Sequence, residues 1–180
     1  MKKIFKYIFA GMAAMSVVAC SEDALETSPS SSVSGNELLG TATNALVSLN
    51  GVYRAMYTAG VSNSSNTHQC FGITAYNLVA DVMGEDCIMN GQGSGWFWYD
   101  CVYNVKSRYT STGWRSYDMW NGYYTWISNV NYILAEEETM SGSETEKNYV
   151  LGQAYAVRAY SYFMLAQMFS RTYKGHESEP

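Results

Sequence analysis

The sequence predicts an all-α fold, and three observations carry that prediction. Apolar residues recur at three- and four-residue steps through four long stretches, the mark of helices that bury one face. No proline lies between Pro29 and Pro180, so nothing in that span breaks a helix by removing a backbone donor. One interval, about 84–113, escapes the pattern. It is rich in glycine, aromatic residues and Ser/Thr, and reads as a long irregular loop with room for a short hairpin.

The first helix is expected over Asn36 to Tyr57, where Leu38, Leu39, Ala42, Leu46, Leu49 and Val52 or Tyr53 share one face. Ser34 is placed to cap its start, and Gly60 to stop it in the left-handed conformation. The second helix, Gly72 to Met83, carries Ile73, Tyr76, Leu78, Val79 and Val82. The loop follows: Gly91, Gly93 and Gly95, then Trp96-Phe97-Trp98-Tyr99, then Val102 to Tyr109. Loops of this size without regular structure are uncommon and often functional. The third helix spans Tyr117 to Glu138 through Met119, Trp120, Tyr123, Ile127, Val130 and Leu134. The fourth spans Ser143 to Phe169, where Ser143 and Glu146 have the spacing of a capping box.

The amino terminus is of another kind. Lys2, Lys3 and Lys6 precede an apolar run, Tyr7 to Ala19. Those 13 residues fall short of the roughly 20 that a bilayer-spanning helix needs. A charged start, a short apolar run and small residues before a cut site describe a signal peptide over residues 1–19. Val17-Val18-Ala19-Cys20 resembles the lipobox of bacterial lipoproteins, which implies acylation of Cys20 and cleavage before it; an ordinary signal peptide cut near Ala19 is the alternative. Two or three acyl chains hold a protein on a membrane stably where one does not. Residues 20–35 are rich in Ser, Asp and Glu and read as a flexible tether. Ser21-Glu22-Asp23 is similar to the short acidic signals that send some lipoproteins to the outer face of the outer membrane.

Removing residues 1–19 takes three lysines from the 11 basic side chains, so 8 face 16 acidic ones and the balance is −8. An acidic chain with no basic run argues against nucleic acid as a partner. Cys70, Cys87 and Cys101 are an odd number after the lipid site, and their spacings match no zinc pattern; His68 and His176 are the only histidines and read as solvated. Export permits a Cys87–Cys101 disulfide, and half-buried thiols fit equally. No motif for nucleophilic, phosphate or zinc-protease chemistry is present, and nothing calls for a metal or another cofactor.

Two segments carry a family resemblance. Trp120-Asn121-Gly122-Tyr123-Tyr124-Thr125-Trp126-Ile127-Ser128-Asn129-Val130-Asn131 resembles the W-x-x-x-Y-x-x-I-x-x-x-N helix of SusD-like (RagB/SusD) nutrient-binding lipoproteins. Gly152 to Phe163 resembles their G-E-A-x-x-x-R-A-x-x-Y-F helix. The lipobox, the acidic leash and Asn50-Gly51-Val52-Tyr53 fall in the same order. The resemblance implies tetratricopeptide-like helical pairs, with residues 36–180 as the amino-terminal part of the fold. Members are much longer, and this chain stops about where the family enters a loop, so it is expected to be an incomplete domain. The resemblance further implies a surface lipoprotein that captures oligosaccharide or polysaccharide and hands it to a TonB-dependent outer-membrane (SusC-like) transporter. Such a protein breaks no bond.

Physically, Gly152, Ala156 and Ala159 are expected to keep one helix face low for a neighbour, with Trp120, Tyr124 and Phe163 filling the space beyond. Trp96, Trp98 and Tyr99 are the candidate sugar-stacking platform, because Trp and Tyr rings present apolar faces with a polar handle. Alternation along the loop would turn Trp96 and Trp98 outward together. Asp81, Glu85 and Asp86 form an acidic knot: Asp81 and Asp86 are candidate hydroxyl-binding groups, and capping or solvation of a helix end is the plainer reading. A glycosidase would need two carboxylates about 5–10 Å apart across a cleft, and these acids have no opposing wall. Arg158 reads as a structural ion-pair or carbonyl-capping residue, and Asn129 and Asn131 as helix-packing groups. The rival to a glycan binder is a helical-repeat scaffold that binds only a protein.

Overall fold

The computed structural model describes residues 38–59, 67–84, 87–102, 110 and 113–178. Within them lie helices α1 (Ala42–Ala55), α2 (Ile73–Met83), α3 (Trp98–Cys101), α4 (Trp114–Ala135) and α5 (Glu144–Phe169), with a 3₁₀ turn at Thr67–Gln69. All belong to one unit, Gly35–Pro180. Residues 1–37, with the signal segment, Cys20, the tether and Ser34, lie outside the described residues, as do Gly60, Glu85, Asp86 and residues 103–109.

Helix α1 starts later than its periodicity suggests. Leu38 and Leu39 are helical, but Gly40 and Thr41 interrupt the helix: Thr41 is extended (φ −131°), and its side chain accepts from Asn44 N at 3.1 Å. A hydroxyl at the last extended position captures one of the four orphan donors, and that sets the boundary. Ala42 N donates to Ser141 O (2.8 Å) and Ser141 N to Gly40 O (3.0 Å), tying this entry to the α4–α5 connection. Helix α5 begins with the expected capping box: Ser143 Oγ accepts from Glu146 N at 3.3 Å, and Glu146 Oε2 accepts from Ser143 N at 2.9 Å. Gly72 precedes α2 at φ 70°, where a Cβ would overlap the Met56 carbonyl. Only glycine lets the chain entering α2 pass this close to the end of α1, where Ile73 N donates to Met56 O at 2.8 Å.

Helices α4 and α5 are antiparallel, and α1 packs on both. The core centres on three fully buried aromatics: Tyr76 of α2, and Tyr123 and Trp126 of α4. Their ring centroids lie 5.4 Å (Tyr76–Tyr123), 5.9 Å (Tyr76–Trp126) and 5.0 Å (Tyr123–Trp126) apart. Leu49, Val130, Ile133 and Val150 close around them. Burying one such side chain is worth about 1.5–3 kcal/mol, so this cluster decides how the helices pack. The Tyr76 hydroxyl donates to Asp118 O at 2.9 Å. Burial first, then the Asp118 charge, pushes its pKa far above the ordinary phenol value and keeps it a donor.

Two expectations are corrected. Gly152, Ala156 and Ala159 are exposed, and a Cβ at Gly152 would meet nothing within 4 Å. Helix α5 instead presents Val150, Leu151, Ala154, Val157, Ser161 and Leu165 to the core. Trp120 (46% exposed), Tyr124 and Phe163 (58%) likewise face outward. The reason is that α5 carries two stripes at helical spacing, and the aliphatic one buries more surface within this chain. Trp120 lies 5.1 Å from Phe169, and Tyr124 6.4 Å from Tyr162, so an aromatic ridge runs along the α4–α5 seam. Arg158 donates from Nη1 to Asn131 Oδ1 at 3.0 Å and lies over the Tyr155 ring, so it bridges helices, with no ion pair among the described residues; Asn129 is exposed.

The described part of the 84–113 interval contains a helical turn, α3, and no strand. No disulfide joins cysteines among the described residues: Cys70 is buried, Cys87 exposed and Cys101 half-buried.

Candidate functional site

The site is built where the loop returns to the helices. Gly93 (φ 51°) and Gly95 (φ 85°) bend the chain, and Gly95 N closes a turn on Gln92 O at 2.7 Å. Phe97 then takes φ 55°, a left-handed conformation unusual for a bulky residue. Three contacts hold it there. Its N–H donates to Gln69 Oε1 at 2.8 Å. Its ring is buried, edge-on to Phe71 at 6.2 Å. The Arg115 guanidinium lies 5.2 Å above it.

Arg115, in the first turn of α4, organises the rest. Nε and Nη2 reach Asp100 Oδ1 (3.2 Å) and Oδ2 (3.0 Å) in a two-pronged ion pair, and Nη1 donates to Gln69 O at 2.7 Å. The Trp114 ring lies 4.2 Å from the guanidinium carbon. Both charged side chains are almost fully buried (5% and 3% exposed). A pair this dry adds little net stability over apolar packing, but losing one partner strands a buried charge. It therefore fixes the position of α3 on α4. Neither residue was singled out in the sequence reading. The available signal was an acid directly after Trp96-Phe97-Trp98-Tyr99 and an arginine directly after Trp114, with Lys106 and Arg108 between them as equal candidates for the pairing.

On this clamp Trp96 (47% exposed) and Tyr99 (41%) face solvent, and Trp98 is half-buried. The expected alternation fails because Trp98 begins a helix, where successive side chains turn by about 100° and not 180°. His68, exposed on the 3₁₀ turn, lies 5.0 Å from the Trp96 ring at 43°. Asp81 is exposed on α2, the helix against which α3 packs, and takes no part in the clamp. Asp86 lies outside the described residues. No cluster of potential metal ligands occurs among the described residues, and none of the described helices is long and apolar enough to cross a membrane.

Two other hollows lie near the carboxy-terminal end of α5. One, about 300 Å³, is walled by Tyr76, Val79, Met83, Met119 and Met168; the other, about 340 Å³, by Ser116, Tyr117, Trp120 and Phe169. Both walls are mainly apolar, and a sugar's hydroxyls need more partners than they offer.

This is the helical architecture of a SusD-like protein. Residues 25–180 match the SusD-like_3 family, described as "Starch-binding associating with outer membrane", and the chain belongs to that family. No curated protein and no solved structure matches it.

Proposed function

We propose that this chain is a surface lipoprotein that binds glycan through the loop built on the Arg115–Asp100 clamp and delivers it to a TonB-dependent, SusC-like outer-membrane transporter. The carrying observation is the Trp96 ring: about half exposed, beside His68, and followed directly by Phe97, whose N–H is held by buried Gln69 next to the Arg115–Asp100 pair. A preorganised aromatic face loses little entropy when a sugar lies on it. Tyr99 extends the exposed aromatic surface, Trp98 contributes its outer edge, and Asp81 and Asp86 supply hydroxyl acceptors. Membership of a family described as starch-binding supports this ligand class. Cys20 carries the lipid, residues 20–35 form the leash, and the protein does no catalysis. The antiparallel α4–α5 pair supports the tetratricopeptide-like arrangement.

The test is an affinity gel with the full chain, solubilised in a detergent without a sugar headgroup, against starch-like, plant and host polysaccharides. One glycan is expected to retard the protein. One stacked ring is worth about 1 kcal/mol, so Trp96→Ala weakens retardation about fivefold. Equal migration of Trp96→Ala and wild type in the retarding glycan would end this reading of the site. A scaffold that binds only protein is the second reading, favoured by the exposed Trp120–Tyr124–Phe163 side of α4 and α5. Retardation by no glycan, with a folded helical chain, would select it.

A further inference from the structure

His68 stands beside Trp96, and its hydrogen bonding decides which ring nitrogen carries the proton. Gln69 is buried and held at both ends. Its backbone oxygen accepts from Arg115 Nη1 at 2.7 Å, and its side-chain Oε1 accepts from Phe97 N at 2.8 Å. A backbone N–H only donates, so the Gln69 amide oxygen must point at Phe97. That leaves the amide nitrogen, a donor, 3.0 Å from His68 Nε2. A neutral imidazole facing a donor presents its acceptor nitrogen, so Nε2 is bare and Nδ1 carries the hydrogen.

We propose that His68 is a glycan-contacting residue, set by Gln69 in the Nδ1–H form so that it donates to a ligand hydroxyl beside the Trp96 ring. This rests on reading Trp96 as the stacking ring. The ring supplies an apolar face and His68 a directed polar group, the pairing that carbohydrate recognition requires. The chain of restraint is continuous: Asp100 holds Arg115, Arg115 holds the Gln69 backbone, Phe97 N orients the Gln69 amide, and the amide orients His68. A donor oriented in advance recognises a hydroxyl better than one that must choose its tautomer on binding.

Two measurements on the full chain test it. The first is the nitrogen spectrum of ¹⁵N-histidine-labelled protein near pH 8.5, where an ordinary imidazole is neutral. The chain has two histidines, and His68→Phe assigns them by loss of one set of signals. The Nδ1–H pattern is expected for His68; an Nε2–H pattern, or a fast mixture of both forms, overturns the proposal whether or not glycan binds. The second is affinity electrophoresis in soluble starch with His68→Phe, His68→Asn and Trp96→Ala. His68→Phe keeps a ring against Trp96 but has no donor, so it binds about tenfold more weakly. His68→Asn puts an amide near the Nδ1 position and recovers part of that loss. If Trp96→Ala weakens binding while His68→Phe does not, the proposal fails and the Trp96 reading stands. If starch never retards the wild type, both fail for that ligand.

Discussion

Gly122 lies in the middle of α4, where helix propensity alone favours alanine by about 1 kcal/mol. The packing reverses that preference. A Cβ at Gly122 would overlap the Tyr76 hydroxyl and lie 3.2 Å from Tyr76 Cζ and 3.3 Å from Cε2. Tyr76 is fully buried, bonded to Asp118 O, and packed against Tyr123 and Trp126, so moving its ring costs these contacts. Overpacking a tight core costs about 1–3 kcal/mol. Pushing the hydroxyl off its acceptor leaves a buried donor unsatisfied, about 1–3 kcal/mol more. Against the gain of about 1 kcal/mol from propensity, Gly122→Ala should destabilise by about 3 kcal/mol. The assay is urea unfolding followed by circular dichroism. Tyr76→Phe alone removes one hydrogen bond and should cost about 1 kcal/mol. It also removes the atom nearest the new methyl, so the double variant should be at least ~1 kcal/mol more stable than additivity predicts. Wild-type or higher stability for Gly122→Ala, or strict additivity in the double variant, refutes the proposed crowding.

Two further outcomes follow from buried charge and capping. Arg115→Met strands Asp100 in a dry site and should cost about 3–5 kcal/mol, while Arg115→Met with Asp100→Leu should recover much of that loss; the urea midpoints of the two variants decide it. Hydrogen bonds from the Ser143 hydroxyl and backbone hold the Glu146 pKa below its ordinary 4.5. The folded chain therefore takes up this proton less readily than the unfolded chain. The stability it brings is fully present above pH 4.5 and is lost as pH falls through the depressed folded value. The stability difference between wild type and Glu146→Gln should shrink on acidification below that pH, and a difference unchanged down to pH 2 would contradict the capping account.

How much was legible beforehand differs by element. Helices α2 and α5 were readable because periodicity and the Ser143–Glu146 cap act within one or two turns of chain. Helix α4 was placed three residues late, since Trp114 and Arg115 belong to the site as well as to the helix. The start of α1 was misjudged because Leu38 and Leu39 continue its apolar rhythm while Thr41 breaks the backbone. Trp96 and Tyr99 are candidates from the sequence, and the structure exposes both. The clamp beneath them was not legible, because Gln69, Phe97, Asp100 and Arg115 meet only after α2, the loop and α4 have packed.

By itself the sequence determined the all-α class, the apolar stripes of the main helices and the family, since these depend on residues a few positions apart. Only the tertiary structure decided which stripe of α5 is buried, that Trp120 and Phe163 lie on the outside, and that a short helical turn replaces strand-like alternation around Trp98. Those outcomes rest on competition between faces for a limited core, and on a buried ion pair whose partners are fifteen residues apart. Local spacing carries no information about either.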